Sequence, residues 1–331
     1  MHSEDPSRTT VVVPCFNDWG SLRQVLAEID RTFAAQHPTR IIIIDDGSTE
    51  PLPDYIEGIH FEHLIDLHVV TLGTNLGHQR ALCVGLTVAL EDSATQRIAL
   101  MDSDGEDRPQ DLIRLSSALV LPVGAVVAQR GKRSEGATFR LFNTIFRWLF
   151  RVFTGQKLDF GNFVILDRPT ATRLVFMTDT WNNVPTSLLR SKAIVARLPT
   201  DRGSRVEGRS KLGFVGLVNH GLGAIATFAD VVFARLIVLA SLAFGGTILV
   251  GMVALAVRVS TGSPLPGWFA LGTTALAIAS LLVLVFLTLL TFVMLAQRRL
   301  TSLPPTATAR DFVQVERQVF PREPSDARRG L

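Results

Sequence analysis

Between residue 9 and about residue 130, short apolar runs alternate with stretches of helical spacing. Thr9–Cys15 (TTVVVPC) is a β-branched run. Arg40–Ile44 (RIIII), His68–Thr71, Arg97–Met101 (RIALM) and Ala125–Gln129 (AVVAQ) repeat the pattern. Between these runs, Leu22, Val25, Leu26, Ile29 and Phe33 recur with the helical period and predict a helix within Asp18–Gln36. Further helices are predicted over Gly77–Leu90 and Asp111–Val120. Ile41–Ile44 has no polar alternation, which suits a strand covered on both faces. Strands alternating with helices predict an α/β fold around a mostly parallel sheet.

The pattern changes toward the end of the chain. Residues 236–257 and 269–296 carry no charge, and each is long enough to cross a bilayer, which takes about 20 apolar residues. The loop between them is short and rich in Gly and Pro. Arg235 precedes the first span, and Arg298 and Arg299 follow the second. The positive-inside rule then predicts residues 1–235 and the tail from 297 on the cytoplasmic side. Residues 138–153 (TFRLFNTIFRWLFRVF) combine Phe139, Phe142, Ile145, Phe146, Leu149, Val152 and Phe153 on one side with Arg140, Arg147 and Arg151 elsewhere. That composition predicts a helix lying in the headgroup layer. The expected organisation is a tail (1–8), an α/β domain (9–211), a juxtamembrane helix (212–234), spans at 235–258 and 269–296 around a loop (259–268), and a second tail (297–331).

Composition agrees with a membrane protein. Of the 331 residues, 47% are hydrophobic and 19% are charged, against about 25% charged in an average soluble domain. Two cysteines, Cys15 and Cys83, exclude a disulfide scaffold and are expected to stay reduced. A net charge of +3 gives no hint of a nucleic-acid partner. The polar N-terminus (MHSEDPSRTT) shows no signal-peptide pattern.

Polar residues gather where the predicted strands end, which is where α/β sheets bind ligands. They are Pro14, Phe16, Asn17 and Asp18 after the first strand, Asp45, Asp46, Gly47 and Ser48 after the second, and Asp102–Asp107 after the fourth. Asp18 and Ser48 equally suit the cap of a following helix. Asp102 and Asp104 share a face if the segment is extended. Hard oxygen ligands at that spacing suit Mg²⁺ or Mn²⁺ bridging to a diphosphate.

Pro14–Asp18 (PCFND), Ile44–Ser48 (IDDGS), Asn75–Ala81 (NLGHQRA) and Met101–Pro109 (MDSDGEDRP), in this order, resemble family 2 glycosyltransferases, which are inverting enzymes with a GT-A fold. With the C-terminal hairpin, the chain is similar to the polyprenyl-phosphate glycosyltransferases over about residues 9–300. The resemblance implies that Pro14, Phe16 and Asp18 line a nucleotide pocket, where the family commonly has Tyr and Glu in place of Phe16 and Asp18. It implies that Asp45 and Asp46 hold base and ribose, and that Asp102, Ser103 and Asp104 form the DxD motif. Glu106, where the subgroup often has Gln, would complete the metal shell, and Arg130 would lie near the diphosphate. Arg205–Lys211 (RVEGRSK) resembles the family's R-x-x-G-x-S-K loop. Arg205 and Lys211 would then neutralise a diphosphate or the acceptor phosphate, with Arg202 and Ser210 beside them. By the same analogy Arg140 and Thr144 sit near the lipid phosphate. Asn162 stands where the family often has Asp, and it cannot be a carboxylate base. His78 and His220 are offered as bases but are read as structural. The tail lacks the subgroup's Gly-Glu-Tyr and Arg-Pro-x-Tyr pattern, with a short element expected within 311–320.

The implied activity is transfer of a sugar from a nucleotide-diphosphate sugar to a polyprenyl phosphate such as undecaprenyl phosphate. It would occur at the cytoplasmic face of the inner membrane, with Mg²⁺ or Mn²⁺ as cofactor. Family precedent allows a homo-oligomer, a tetramer in particular. The competing readings are transfer to another lipid or glycan, including polysaccharide synthesis, and a non-catalytic scaffold with a sugar-nucleotide fold.

Overall fold

The computed structural model describes residues 8–130, 137–201, 203, 214–262, 264, 266–297 and 303–321. Its strands are β1 (Arg8–Cys15), β2 (Thr39–Asp45), β3 (Asp66–Leu72), β4 (Thr95–Leu100), β5 (Ala125–Arg130), β6 (Phe160–Asp167), β7 (Val195–Thr200) and β8 (Val313–Phe320). The helices among them are α1 (Trp19–Ile29), α2 (Asp54–Glu57), α3 (His78–Glu91), α4 (Pro109–Ala118), α5 (Ala137–Thr154), α6 (Arg168–Val175) and α7 (Val184–Arg190). After β7 come α8 (Phe214–Ala226), α9 (Ala229–Thr261), α10 (Gly267–Gln297) and α11 (Pro305–Thr308).

The chain divides into two compact units. The first spans residues 1–148, 156–227 and 303–331, and holds one eight-stranded sheet in the order β7-β5-β6-β4-β1-β2-β3-β8. The central strands are parallel, while β6 and β8 run antiparallel to their neighbours. This is the mostly parallel α/β sheet expected from the sequence. Side chains alternate across it. Val11, Val13, Ile41 and Ile43 face α1 and α4, while Val12, Ile42 and Ile44 face α3, α6 and α7. The unbroken Ile41–Ile44 run is fully buried because both faces are covered. α3 lies close to the sheet at Gly85, where an added Cβ would meet Val12 Cγ1 at 2.2 Å.

β8 is built from the tail. It pairs with β3, setting Val69 opposite Arg317, and Arg317 reaches Glu57 at 2.6 Å. Arg310 bonds to Glu91 and Glu316, and Ala309 is fully buried. The short element expected near 311–320 is therefore an edge strand of the main sheet.

The second unit spans 149–155 and 228–302. α9 and α10 pack as a hairpin, and both are long and apolar enough to cross a membrane. Within this unit Phe150 packs edge-on to Phe228 at 5.8 Å, and Arg235 donates to the carbonyl of Val152 at 2.7 Å. The sequence pattern left Phe150 off the apolar side of α5, yet it is fully buried, on the same face as Phe146 and Phe153. Ile145 and Val152, expected on the apolar side, are exposed, as is Trp148. The juxtamembrane helix expected over 212–234 is not one helix over its described residues 214–234, because Thr227 and Phe228 separate α8 from α9.

Candidate active site

The strand-end loops interlock through backbone and short polar side chains. Asn17 adopts φ +49°, which suits Asn better than most residues. Its amide oxygen accepts from the N–H of Thr49 and Glu50 at 2.9 and 3.2 Å, and its own N–H donates to Ser48 Oγ at 3.0 Å. Asn17 thereby clasps the loop after β1 to the loop after β2. Asp45 Oδ1 accepts from the N–H of Ser48 at 2.9 Å. Asp46 is buried, and its two oxygens accept from the N–H of Leu76 and Gly77 at 2.7 and 3.0 Å. Burial pushes the Asp46 carboxyl up, only partly offset by those N–H groups and by His78. The pair expected to hold base and ribose thus also shapes its own loops. Phe16 is exposed beside them, Pro14 lies in β1, and Asp18 precedes α1 without capping it through its side chain.

The acidic segment is a turn, not the extended run that would put Asp102 and Asp104 on one face. Gly105 takes φ +80°, Asp104 Oδ1 accepts from the N–H of Glu106 at 2.9 Å, and Asp107 Oδ2 accepts from the N–H of Asp102 at 3.1 Å. The turn forms because backbone donors are nearby and Gly tolerates a positive φ. Ser103 is buried within it. Gly203 packs against this turn. It donates to the carbonyl of Glu106 at 2.9 Å, and an added Cβ would stand 2.6 Å from the Gly105 carbonyl oxygen. Among the described residues no three His, Cys, Asp or Glu side chains already converge as a metal cage. The donors at this turn are hard carboxylate oxygens, which fit Mg²⁺ or Mn²⁺ once substrate oxygens and water fill the remaining positions.

His78, which the sequence offers as a base but which reads as structural, lies beside the acidic turn. It opens α3, and its Nε2 lies 3.2 Å from Asp102 Oδ1 and 2.8 Å from Asn162 Nδ2. Partial desolvation pulls the imidazole pKa down. The carboxylates of Asp102, Asp107 and Asp46 outweigh that and hold it above the ordinary histidine value. Asp159, which the sequence pattern does not single out, is buried and accepts from Gln129, Lys157 and Arg197. Burial raises its pKa, but Lys157 and Arg197 more than compensate and keep it below the usual carboxylate range.

Of the remaining expected residues, Arg130 ends β5 and Arg140 lies in α5. Thr144 is exposed on α5. Arg202, Arg205, Ser210 and Lys211 lie outside the described residues, and His220 is described only as part of α8.

The carboxylates stand at the ends of β2 and β4, which flank β1 on either side of the switch point of the sheet, so the chain is an α/β protein with an acidic cluster at its strand ends, the place where such sheets bind ligands. The model of glycosyl transferase family 2 matches residues 10–182, more than half of the chain, and the chain belongs to that family. It is 25% identical over 226 residues to an undecaprenyl-phosphate 4-deoxy-4-formamido-L-arabinose transferase of Shewanella sediminis, covering 66% of each chain. It is 25% identical over 163 residues to the protein of that name from Pectobacterium carotovorum, covering 48% of each. The matched part thus spans less than two thirds of these relatives. Among solved structures it is similar to glucosyl-3-phosphoglycerate synthase from Mycobacterium tuberculosis, with 16% identity and a TM-score of 0.49, covering 68% of this chain and 80% of that one. It is also similar to the mannosyltransferase PcManGT from Pyrobaculum calidifontis, with 20% identity and a TM-score of 0.46, covering 82% and 80%. Both of those structures contain Mn²⁺.

Proposed function

We propose that this chain is a membrane-anchored, inverting glycosyltransferase that moves a sugar from a nucleotide-diphosphate sugar to a polyprenyl phosphate at the cytoplasmic face of the inner membrane. One observation carries this reading. A family 2 chain with strand-end carboxylates also has two helices of membrane-crossing length. The names of its curated relatives support undecaprenyl phosphate as the acceptor.

The acceptor needs little activation. A phosphate monoester has a second pKa near about 6 and is mostly dianionic at neutral pH. Its oxygen attacks the anomeric carbon in line, and the nucleoside diphosphate leaves from the opposite face. The chain's own groups agree with a reaction that needs no strong base. Asn162 has no basic oxygen, and Asp159 is already engaged by Lys157 and Arg197. Asp102 and Asp104, with Glu106, would hold Mg²⁺ or Mn²⁺, which supplies positive charge against the leaving diphosphate. Arg205 and Lys211, with Arg130, would add charge from the protein side. Pro14, Phe16, Asp18, Asp45, Asp46 and Ser103 would shape the nucleotide end. Arg140, Thr144, Arg202 and Ser210 would meet the acceptor phosphate. The hairpin keeps the enzyme at the layer where its lipid acceptor resides, and Arg235 in the first turns of α9, with Arg298 and Arg299 after α10, favours the cytoplasmic side.

The test uses purified full-length protein in detergent, undecaprenyl phosphate, Mg²⁺ or Mn²⁺, and a panel of radiolabelled UDP- and GDP-sugars. Metal-dependent label in the organic phase is expected from at least one donor, with a loss of at least about 100-fold in Asp104→Ala. No transfer from any donor, with nucleotide still bound, overturns the polyprenyl-phosphate reading.

A further inference from the structure

A buried carboxylate holds two cations at the ligand end of the sheet. Asp159 stands one residue before β6, and Phe160 pairs with Gln129 near the end of β5. The Asp159 side chain is 5% exposed. Its Oδ2 accepts from Gln129 Nε2 at 2.8 Å and from Lys157 Nζ at 3.0 Å, and its Oδ1 accepts from Arg197 Nε at 3.0 Å. Arg197 lies on β7 opposite Val127, and its guanidinium carbon is 5.9 Å from the centre of the Phe160 ring. By the alternation of strand side chains, Arg197, Gln129 and Phe160 share the sheet face that carries Asn162.

Neutralising Asp159 takes one cation, and two are present. Arg197 is anchored through Nε alone, and its two Nη groups have no partner among the described residues. The guanidinium is therefore fixed by its inner edge, with its outer fork uncommitted, and such a fork suits a phosphate. The side chains of Arg197 and Lys157 are 35% and 66% exposed, so an anion can reach both.

Position says which anion. The residues proposed for the nucleotide end sit at β1, β2 and β4, and β6, β5 and β7 follow on the other side of β4. Displacement with inversion brings the nucleophile to the anomeric carbon from the side opposite the leaving diphosphate. A donor with its nucleotide over β1 and β2 therefore receives its acceptor from over β6 and β7.

We propose that Arg197 and Lys157 form a phosphate-binding subsite at the acceptor end, with Asp159 as the positioning residue that holds them there. The inference deepens the function proposed above and rests on it. It adds to the acceptor end a contact built on the sheet itself, apart from α5 and residues 202–211. The ligand is the phosphate monoester of the lipid acceptor, which is mostly dianionic at neutral pH. A bilayer phospholipid offers a similar phosphate with a single charge, and the test separates the two.

The measurements are acceptor KM, donor KM, kcat and melting temperature of the full-length protein in detergent, with and without phosphatidylglycerol in the micelles. The variants are Arg197→Lys, Lys157→Met and Asp159→Asn. Arg197→Lys leaves Asp159 a cation but removes the fork. It is expected to raise acceptor KM by about tenfold, with donor KM within about twofold and the melting temperature unchanged. Lys157→Met should act in the same direction. Asp159→Asn, which releases both cations, should raise acceptor KM at least as far. Three results overturn the inference: an unchanged acceptor KM in Arg197→Lys, donor and acceptor KM rising together in it as the melting temperature falls, or an acceptor KM that departs from wild type only when phosphatidylglycerol is present. The last would assign the subsite to bilayer lipid. If the wild-type protein transfers no sugar to any polyprenyl phosphate, the functional reading fails separately. The subsite is then scored by calorimetric binding of farnesyl phosphate, where an affinity about tenfold weaker in Arg197→Lys is expected and an unchanged affinity overturns it.

Discussion

The sheet unit and the hairpin unit are both rich in aliphatic side chains, and they treat them oppositely. In the sheet, Ile41 to Ile44 are buried between two helix layers. In the hairpin, Ala240 is the one buried residue among those described in α9, while Leu242, Leu271 and Phe286 are each more than 60% exposed. Water tolerates apolar patches of only a few hundred Å² on a typical monomer. Two helices of mean hydropathy 2.4 and 2.8, bare over most of their length, are built for a hydrocarbon surrounding. The difference teaches that apolar content alone does not locate a core. In one unit the hydrophobic effect assembles the protein, and in the other it partitions the protein into lipid.

The sharpest way to break this comparison is to place one carboxylate in each unit. Ile43→Asp should abolish soluble folding of the sheet unit, since an unpaired buried charge is not tolerated. Val253→Asp, at an exposed position, would be harmless on a water-facing surface. Here it is expected to cost about 2.5–3.5 kcal/mol of insertion, read as loss from the carbonate-resistant membrane fraction. Next in size, Leu26→Ala should cost about 2–5 kcal/mol, whereas Leu282→Ala should change the melting temperature of the detergent-solubilised protein little. Glycines give a third contrast. Gly85→Ala should destabilise by about 1–3 kcal/mol because its Cβ collides with Val12, while Gly246→Ala in α9 meets nothing within 4 Å and should be nearly neutral. The smallest effect concerns pH. The Asp159 pKa is depressed in the folded protein, so its contribution is complete above the unfolded carboxyl value and is lost as pH falls through the folded one. Asp159→Asn should flatten that acid limb in a pH series of melting temperatures, and an unchanged slope would remove Asp159 from the account.

Local pattern made the first half of the fold legible. The isoleucine run, the helical spacing after Asp18 and the Asp-rich strand ends read directly as β2, α1 and the ligand side of the sheet. What stayed hidden depends on partners far apart in sequence. β8 reads as an unremarkable polar-apolar alternation, and only pairing with β3 gives it a place. β7 (VARLPT) is short, interrupted by Pro, and half-exposed. Whether the acidic segment is extended was left open, because its spacing says nothing of the backbone donors that curl it into a turn. His78 and Asn162 were each visible, but their juxtaposition joins α3 to β6 across 84 positions. The hint was Asn162 itself, a polar residue ahead of the apolar run Phe163–Leu166 of β6, with no acid-base role open to it.

β8 also bears on how the chain is made. The ribosome releases β3 early, and the strand that covers its open edge follows only after both membrane helices. The catalytic sheet is therefore completed by a late piece of polypeptide, and until then β3 offers unpaired N–H and C=O groups to whatever strand is at hand. A nascent chain stalled after α10 would carry every acidic residue of the site and still expose a sticky edge. Quality control that samples exposed strand edges would therefore be sampling whether the hairpin and the strand after it have been completed.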